Sequence, residues 1–168
     1  MKESKSLEIL KMALLMEHRG KAFYQKVAEQ TDDEDVKNIF LIMADEERLH
    51  IDYLSKQFAH YQKNQKFDNQ NLTLSGSDDG IANLVLSEDI KNKISASGFE
   101  AAAISAAIDM ENKAIAVYKE RAENAEDPEE KELYNWLANW EKDHLRILAQ
   151  LNKELTEKVW YDNQFWPF

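Results

Sequence analysis

The chain contains no cysteine. Disulfides, cysteine-ligated zinc and iron–sulfur clusters are therefore excluded. Glycine and proline are scarce, with four and two among 168 residues. Long helices are then easy to build, whereas a fold that needs many tight turns is not. Positive charge is in deficit: 21 Lys and Arg stand against 32 Asp and Glu, a formal net charge of −11. A phosphate backbone calls for a basic face, so no nucleic-acid partner is expected. An acidic chain attracts cations instead. The stretch Met1 to Leu10 has no signal-peptide apolar core. No run reaches the roughly 18 apolar residues of a membrane helix. The expectations are no membrane partner and a cytoplasmic location.

What is present suffices for one domain with a sizeable core, since 43% of the residues are hydrophobic. Helix starts are well marked. Ser4 or Ser6 can cap a first helix running to about Gln30. Thr31-Asp32-Asp33-Glu34 and Ser97-Gly98-Phe99-Glu100 fit capping boxes for a second and a third. Asp127-Pro128-Glu129-Glu130 gives a fourth an Asp cap, Pro at the first helical position and Glu at the third. The second helix should fade near Tyr61 to Lys66. Residues 67–96 are polar and turn-rich at first, notably Ser75-Gly76-Ser77-Asp78-Asp79-Gly80, and Leu84-Val85-Leu86 followed by Ser87 to Ile90 could seed a short helix. A connection of that length can cross the whole bundle. The expected fold is all-α: a four-helix bundle of two antiparallel hairpins joined by a long crossover.

The hairpins read as internal repeats. Ala13, Met16, Glu17, Tyr24 and Ala28 recur 94 positions later as Ala107, Met110, Glu111, Tyr118 and Ala122. Ala44, Glu47, His50 and Leu54 recur as Ala138, Glu141, His144 and Leu148. Each copy thus holds a lone Glu and, thirty positions on, Glu-x-x-His, which places two side chains on one helical face one turn apart. Two such copies face to face imply a pseudo-two-fold axis.

Glu17, Glu47, His50, Glu111, Glu141 and His144 fall in the apolar stripes, where Leu would be expected. The second helix runs Val36, Ile39, Phe40, Met43, then Glu47, His50, then Leu54 and Phe58. The fourth runs Leu133, Leu137, then Glu141, His144, then Leu148 and Leu151. A buried carboxylate without a partner costs several kcal/mol, and four facing each other also repel. Two divalent cations supply four positive charges against the four Glu. Mixed oxygen and imidazole ligation suits two iron ions or manganese, with zinc a further occupant. Such paired ions usually stand roughly 3.5 to 4 Å apart. Tyr24 and Tyr118 lie two turns from Glu17 and Glu111 on the same face, within reach of hydrogen bonds to ligand carboxylates; equally, they could be ordinary core tyrosines.

Other polar residues read as surface. Glu46 points about 100° away from Glu47 on its helix and is expected in solvent, as is Asp143 beside His144. His18 and His60 have no partner pattern. Trp136 and Trp140 are expected to pack. The aromatic segment Val159 to Phe168 is expected, within a tail spanning 154–168, to cover the bundle 1–153 or a partner.

At these residues the chain resembles the rubrerythrin branch of the ferritin-like diiron proteins. The resemblance rests on Ala13 to Glu17 through Phe23-Tyr24, on Glu46-Glu47-Arg48-Leu49-His50, on Ala107 to Glu111 through Tyr118, and on Glu141-Lys142-Asp143-His144. It covers about residues 7 to 153. It implies a non-haem diiron centre with Glu47 and Glu141 as bridging carboxylates, Glu17 and Glu111 as terminal ones, and His50 and His144 as nitrogen ligands. It further implies two-electron reduction of hydrogen peroxide or dioxygen. Two departures stand out. Full-length rubrerythrins carry a rubredoxin domain with four Cys ligands, which this chain cannot supply, so electrons would come from a separate donor such as a rubredoxin-like protein. Rubrerythrins also typically place another Glu one turn after the third-helix ligand, a carboxylate associated with ligand exchange during redox cycling. Here that position is Ala114. Ferrous iron oxidation, as in ferritins, and a non-enzymatic metal-dependent binding module are the alternative functions. Oxygenation of an organic substrate is another, without a sequence sign of a substrate pocket. A homodimer is expected from the family and the apolar tail.

Overall fold

The computed structural model describes residues 4–69, 72 and 98–163. These form four helices: α1 (Lys5–Gln30), α2 (Glu34–Asn64), α3 (Phe99–Asn124) and α4 (Pro128–Asn163). The fold is the expected all-α bundle. The short links between α1 and α2, and between α3 and α4, make two antiparallel hairpins. Most of the connection between the hairpins, including the segment Ser87 to Ile90, lies outside the described residues. None of the described helices is long and apolar enough to cross a membrane.

The caps account for the helix boundaries, and two differ from the sequence expectation. Asp33, not Thr31, caps α2: its carboxylate accepts the backbone N–H groups of Asp35 and Val36 at 3.0 and 3.1 Å. Thr31 instead closes α1, its hydroxyl donating to the Val27 carbonyl at 2.8 Å. Aspartate wins because its charged acceptor also meets the positive end of the helix dipole. At α3 the cap position is Gly98, with no side-chain cap bond, and Ser97 lies outside the described residues. Ser4 occupies the α1 cap without a side-chain bond to the helix backbone; its hydroxyl pairs with that of Tyr61 at 3.1 Å. Asp127 caps α4 as expected, accepting from Glu129 N at 2.9 Å. α2 ends where Gln65 turns left-handed, at φ 56°. α4 runs to Asn163, so residues 154–163 of the segment read as a tail continue the last helix. Its apolar stripe extends through the buried Leu151 and Leu155, and no Gly or Pro interrupts it before Pro167.

Two apolar clusters fill the ends of the bundle. One gathers Tyr24, Val27, Ile39, Phe40 and Met43 with Ala103, Ile104, Ala107, Leu148 and Leu151. It therefore joins the end of α1 and the start of α2 to the start of α3 and the end of α4. The other gathers Leu10, Ala13 and Leu54 with Tyr118, Leu133, Tyr134, Leu137 and Trp140, the opposite halves of the same helices. This distribution sets α1 antiparallel to α3, and α2 antiparallel to α4. Each fully buried side chain of the size of Leu54 or Phe40 contributes about 1.5–3 kcal/mol. The hairpins are thus held from both ends, and the polar residues lie between the two apolar plugs. Repeat-related pairs are buried alike: Ala13 with Ala107, Tyr24 with Tyr118, Ala44 with Ala138, Leu54 with Leu148.

Candidate metal centre

The six stripe residues meet at mid-bundle, and all of them are buried. Each helix contributes through its register: Glu17 from α1, Glu47 and His50 from α2, Glu111 from α3, Glu141 and His144 from α4. They fall into two groups whose ligand-type atoms lie within 4.8 Å of one another. One is Glu17, Glu47, His50 and Glu141; the other is Glu47, Glu111, Glu141 and His144. Glu47 and Glu141 belong to both. The nitrogen turned toward the carboxylates is Nδ1 in each histidine. His50 Nδ1 stands 2.9 Å from Glu17, 3.4 Å from Glu47 and 3.1 Å from Glu141. His144 Nδ1 stands 3.7 Å from Glu47, 3.5 Å from Glu111 and 3.1 Å from Glu141.

The protein alone does not satisfy this cluster. Both carboxylate oxygens of Glu141 and Nδ1 of His144 are buried without a hydrogen-bond partner. Their 3.1 Å approaches are ion-pair distances without hydrogen-bond alignment. Unpaired buried acceptors and an imidazole nitrogen converging on one point are what a cation requires and what a folded protein otherwise avoids. The residues present therefore fit a metal.

The electrostatics agree. Burial pushes the Glu47 carboxyl well above the usual range, and repulsion from Glu141 and Glu17 adds to it. Burial and Glu141 raise Glu111 to about 7 against the pull of His144. Burial also acts to raise Glu141, but His50 and His144 outweigh it and hold this carboxyl well below the usual range. Both imidazoles are raised: burial disfavours their charge, yet the surrounding carboxylates win. A site built this way gathers positive charge, whether from protons or from metal ions.

Tyr24 and Tyr118 behave as more than packing. Tyr24 donates to Glu111 and Tyr118 to Glu17, each reaching across to the opposite hairpin. Burial, then the adjacent carboxylates, push both phenols well above their usual range, so they remain donors. They bind the two hairpins together and fix one oxygen each of Glu111 and Glu17.

Glu46 departs from the sequence expectation. It is 8% exposed rather than solvated. Its Oε2 lies 2.5 Å from His144 Nε2 and accepts the Trp140 indole N–H at 3.4 Å. The α2 position before Glu47 faces α4 across the bundle, so the buried arc of α2 is wider than its apolar stripe. Trp136 and Trp140 are buried as expected, with rings set edge-on to His50 at 5.6 and 5.0 Å. His18 is exposed, while His60 is half-buried and bonded to Asn64. Asp143 is half-buried and pairs with Arg146.

A cavity of about 280 Å³ opens between α1 and α3 onto the four glutamates. Met16, Gly20, Met110, Ala114 and Val117 form its walls, and the exposed Arg19 and Lys113 stand at its rim. Gly20 and Ala114 are repeat-related, one turn after Glu17 and Glu111 respectively. Small side chains there leave the carboxylate edge reachable. No sequence pattern had pointed to this space.

The rubrerythrin family model matches residues 8–152. No curated protein and no solved structure matches the chain. The matched span runs from the first turn of α1 to the last turns of α4 and holds all six converging side chains. On that extent, and on a buried Glu and His cluster set on a pseudo-two-fold axis, the chain belongs to the rubrerythrin family.

Proposed function

We propose that this protein is a non-haem two-iron oxidoreductase that reduces hydrogen peroxide or dioxygen with electrons from a separate donor. The observation that carries the reading is the overlap of the two four-residue groups at Glu47 and Glu141. Carboxylates common to two groups are suited to bridging two ions. In this reading Glu17 with His50, and Glu111 with His144, complete one position each. Two irons, when bound, would supply the electron pair that the reduction needs.

The chain's own residues have definite tasks. Glu47 and Glu141 balance charge between the positions. Tyr24 and Tyr118 hold Glu111 and Glu17 and offer phenolic protons beside the carboxylates. The two apolar plugs keep bulk water from the ends of the bundle, leaving the cavity between α1 and α3 as the approach for an oxidant among the described residues. Arg19 and Lys113 at its rim offset the negative charge that would repel an anionic reactant.

The test is turnover. Iron-loaded protein, supplied with a reductant and peroxide, should consume peroxide, and Glu141→Ala should abolish both iron and consumption. Full iron occupancy without consumption of peroxide or dioxygen would refute the proposal. The cavity favours one second reading. Its volume is several times that of peroxide, given a liquid share of about 30 Å³ per water, so a small organic substrate fits beside the carboxylates. Oxygen uptake that depends on such a compound as well as on the electron donor, with the compound recovered oxygenated, would favour that chemistry instead.

A further inference from the structure

Glu46 and Trp140 stand at equivalent positions in the two repeats, 94 residues apart. Each immediately precedes the shared carboxylate of its helix. The six residues themselves are related by the pseudo-two-fold axis; this pair, which sits behind the histidines, breaks it. On one side, His144 turns Nδ1 to the carboxylates and Nε2 to the buried Glu46, 2.5 Å away. On the other, His50 also turns Nδ1 to the carboxylates, where it bonds Glu17 at 2.9 Å, but its Nε2 is buried with no hydrogen-bond partner. Its ring meets the two tryptophans edge-on instead. The Trp140 indole N–H points back to Glu46, so the residue that denies His50 an acceptor also anchors the acceptor of His144.

The chemical consequence follows from the imidazole. A neutral histidine that binds a cation through Nδ1 carries its proton on Nε2. Donation of that proton to a carboxylate fixes the tautomer and ring orientation and makes the coordinating nitrogen more basic. His144 has this support. For His50 the same tautomer leaves a buried N–H unpaired, which disfavours it. The carboxylate complement of the two groups is otherwise matched, three glutamates to each.

We propose that Glu46 and Trp140 make the two metal positions unequal, so that the position formed with Glu111 and His144 fills first and more tightly than the one formed with Glu17 and His50. Glu46 is a positioning residue in this scheme, acting through His144. The inference rests on the reading that the cluster holds two metals. Its product is an ordered centre, with one firmly held ion and one more easily lost or exchanged.

Cobalt(II), added to the metal-free full chain and followed by calorimetry and visible absorption, tests the inequality. Two steps should appear, separated by about 10–100-fold, the usual effect of a carboxylate supporting a ligating histidine. Glu46→Gln keeps the size of the side chain and removes its charge. It should weaken the first step by about that factor, leave the second in place and change the absorption of the first equivalent. Glu111→Gln should remove the tight step and Glu17→Gln the weak one, which tests the assignment should Glu46→Gln fold poorly. Equal steps in the wild type would overturn the inference alone. So would unequal steps that persist unchanged in Glu46→Gln, because repulsion between the two ions would then be their cause. Absence of any cobalt binding would overturn the metal-centre reading, and this inference with it.

Discussion

Gly20→Ala isolates the metal centre from the fold, because its two effects have opposite signs. Gly20 lies inside α1, where alanine is favoured over glycine by about 0.5–1 kcal/mol. On helix propensity alone the substitution stabilises. The added Cβ, however, would sit 3.2 Å from both Cδ and Oε1 of Glu47. That is a few tenths of an ångström inside the optimal separation of about 3.5–4 Å. Glu47 can retreat by that amount only by moving within the cluster. In the metal-free protein such a shift costs little, since no ligand geometry has to be kept. With metal it matters, because Glu47 belongs to both groups, and ligating side chains must hold their positions to about 0.5 Å.

The expectation is a metal-free protein at least as stable as the wild type, with a midpoint raised by at most about 2–4 °C for a chain of this size. Metal affinity should fall about tenfold, or about 1.4 kcal/mol, in both binding steps. Thermal melts with and without saturating metal, together with a metal titration, read both quantities. Ala114 provides the control: it is the repeat-related residue of α3 and already carries a Cβ. Ala114→Gly should cost about 0.5–1 kcal/mol of stability from helix propensity and leave metal affinity in place. Unchanged affinity in Gly20→Ala, or a clear loss of metal-free stability, would refute the reasoning, since the Glu47 contact would then not matter or not be relieved.

Glu47→Ala and Glu141→Ala should each abolish both metals, whereas Glu17→Ala and Glu111→Ala should each remove one; metal analysis after desalting distinguishes shared from unshared carboxylates. Tyr24→Phe and Tyr118→Phe each remove a buried donor from a carboxylate, and each should cost about 1.5–3 kcal/mol in urea unfolding; a loss confined to one of them would break the pseudo-symmetry. Asp33→Ala and Asp127→Ala should each cost about 1 kcal/mol, and Thr31→Ala less than Asp33→Ala, because Asp33 holds the two leading N–H groups of α2.

The six converging residues were legible because they break a rule. An apolar stripe of period 3.6 that carries Glu and His where Leu belongs states both that these positions are interior and that something must neutralise them. The 94-residue offset then pairs them. Tyr24 and Tyr118 were legible as to face, though not as to partner, since the donor on one hairpin serves the glutamate on the other. Glu46 was missed for a geometric reason. A step of 100° leaves the stripe, but a bundle helix touches two neighbours, and the second contact widens the buried arc. The signal lay at Trp140: a large aromatic at the repeat-related position implies that this face meets another helix. The cap of α2 was misplaced because Thr31 and Asp33 both begin acceptable motifs, and only the turn geometry chooses between them. The cavity was illegible in either repeat alone, since its walls come from two helices far apart in the chain.

The same buried charge gives a dependence on pH whose sign differs between the metal-free and metal-bound protein. In the metal-free protein Glu47, His50 and His144 hold protons above their usual ranges, and Glu111 does so up to about 7. Groups that bind protons more tightly when folded stabilise the fold below their unfolded values and lose that contribution as pH rises through their folded ones. Glu141 is shifted the other way, so its contribution is lost only on acidification below the carboxylate range. From about pH 5 to pH 8 the metal-free protein should therefore lose stability as pH rises. Metal binding needs those ligands deprotonated, so over the same window affinity should increase and protons should be released. Melting curves across this range, with chelator or with saturating metal, should diverge. Calorimetry in two buffers of different ionisation enthalpy counts the protons. A metal-free midpoint that climbs with pH, or binding near neutrality without proton release, would mean that Glu47 and Glu111 are already ionised, and both imidazoles already neutral, in the absence of metal. In that event the cluster would hold no extra protons against its carboxylates, and the argument that it gathers positive charge would fail at its first step.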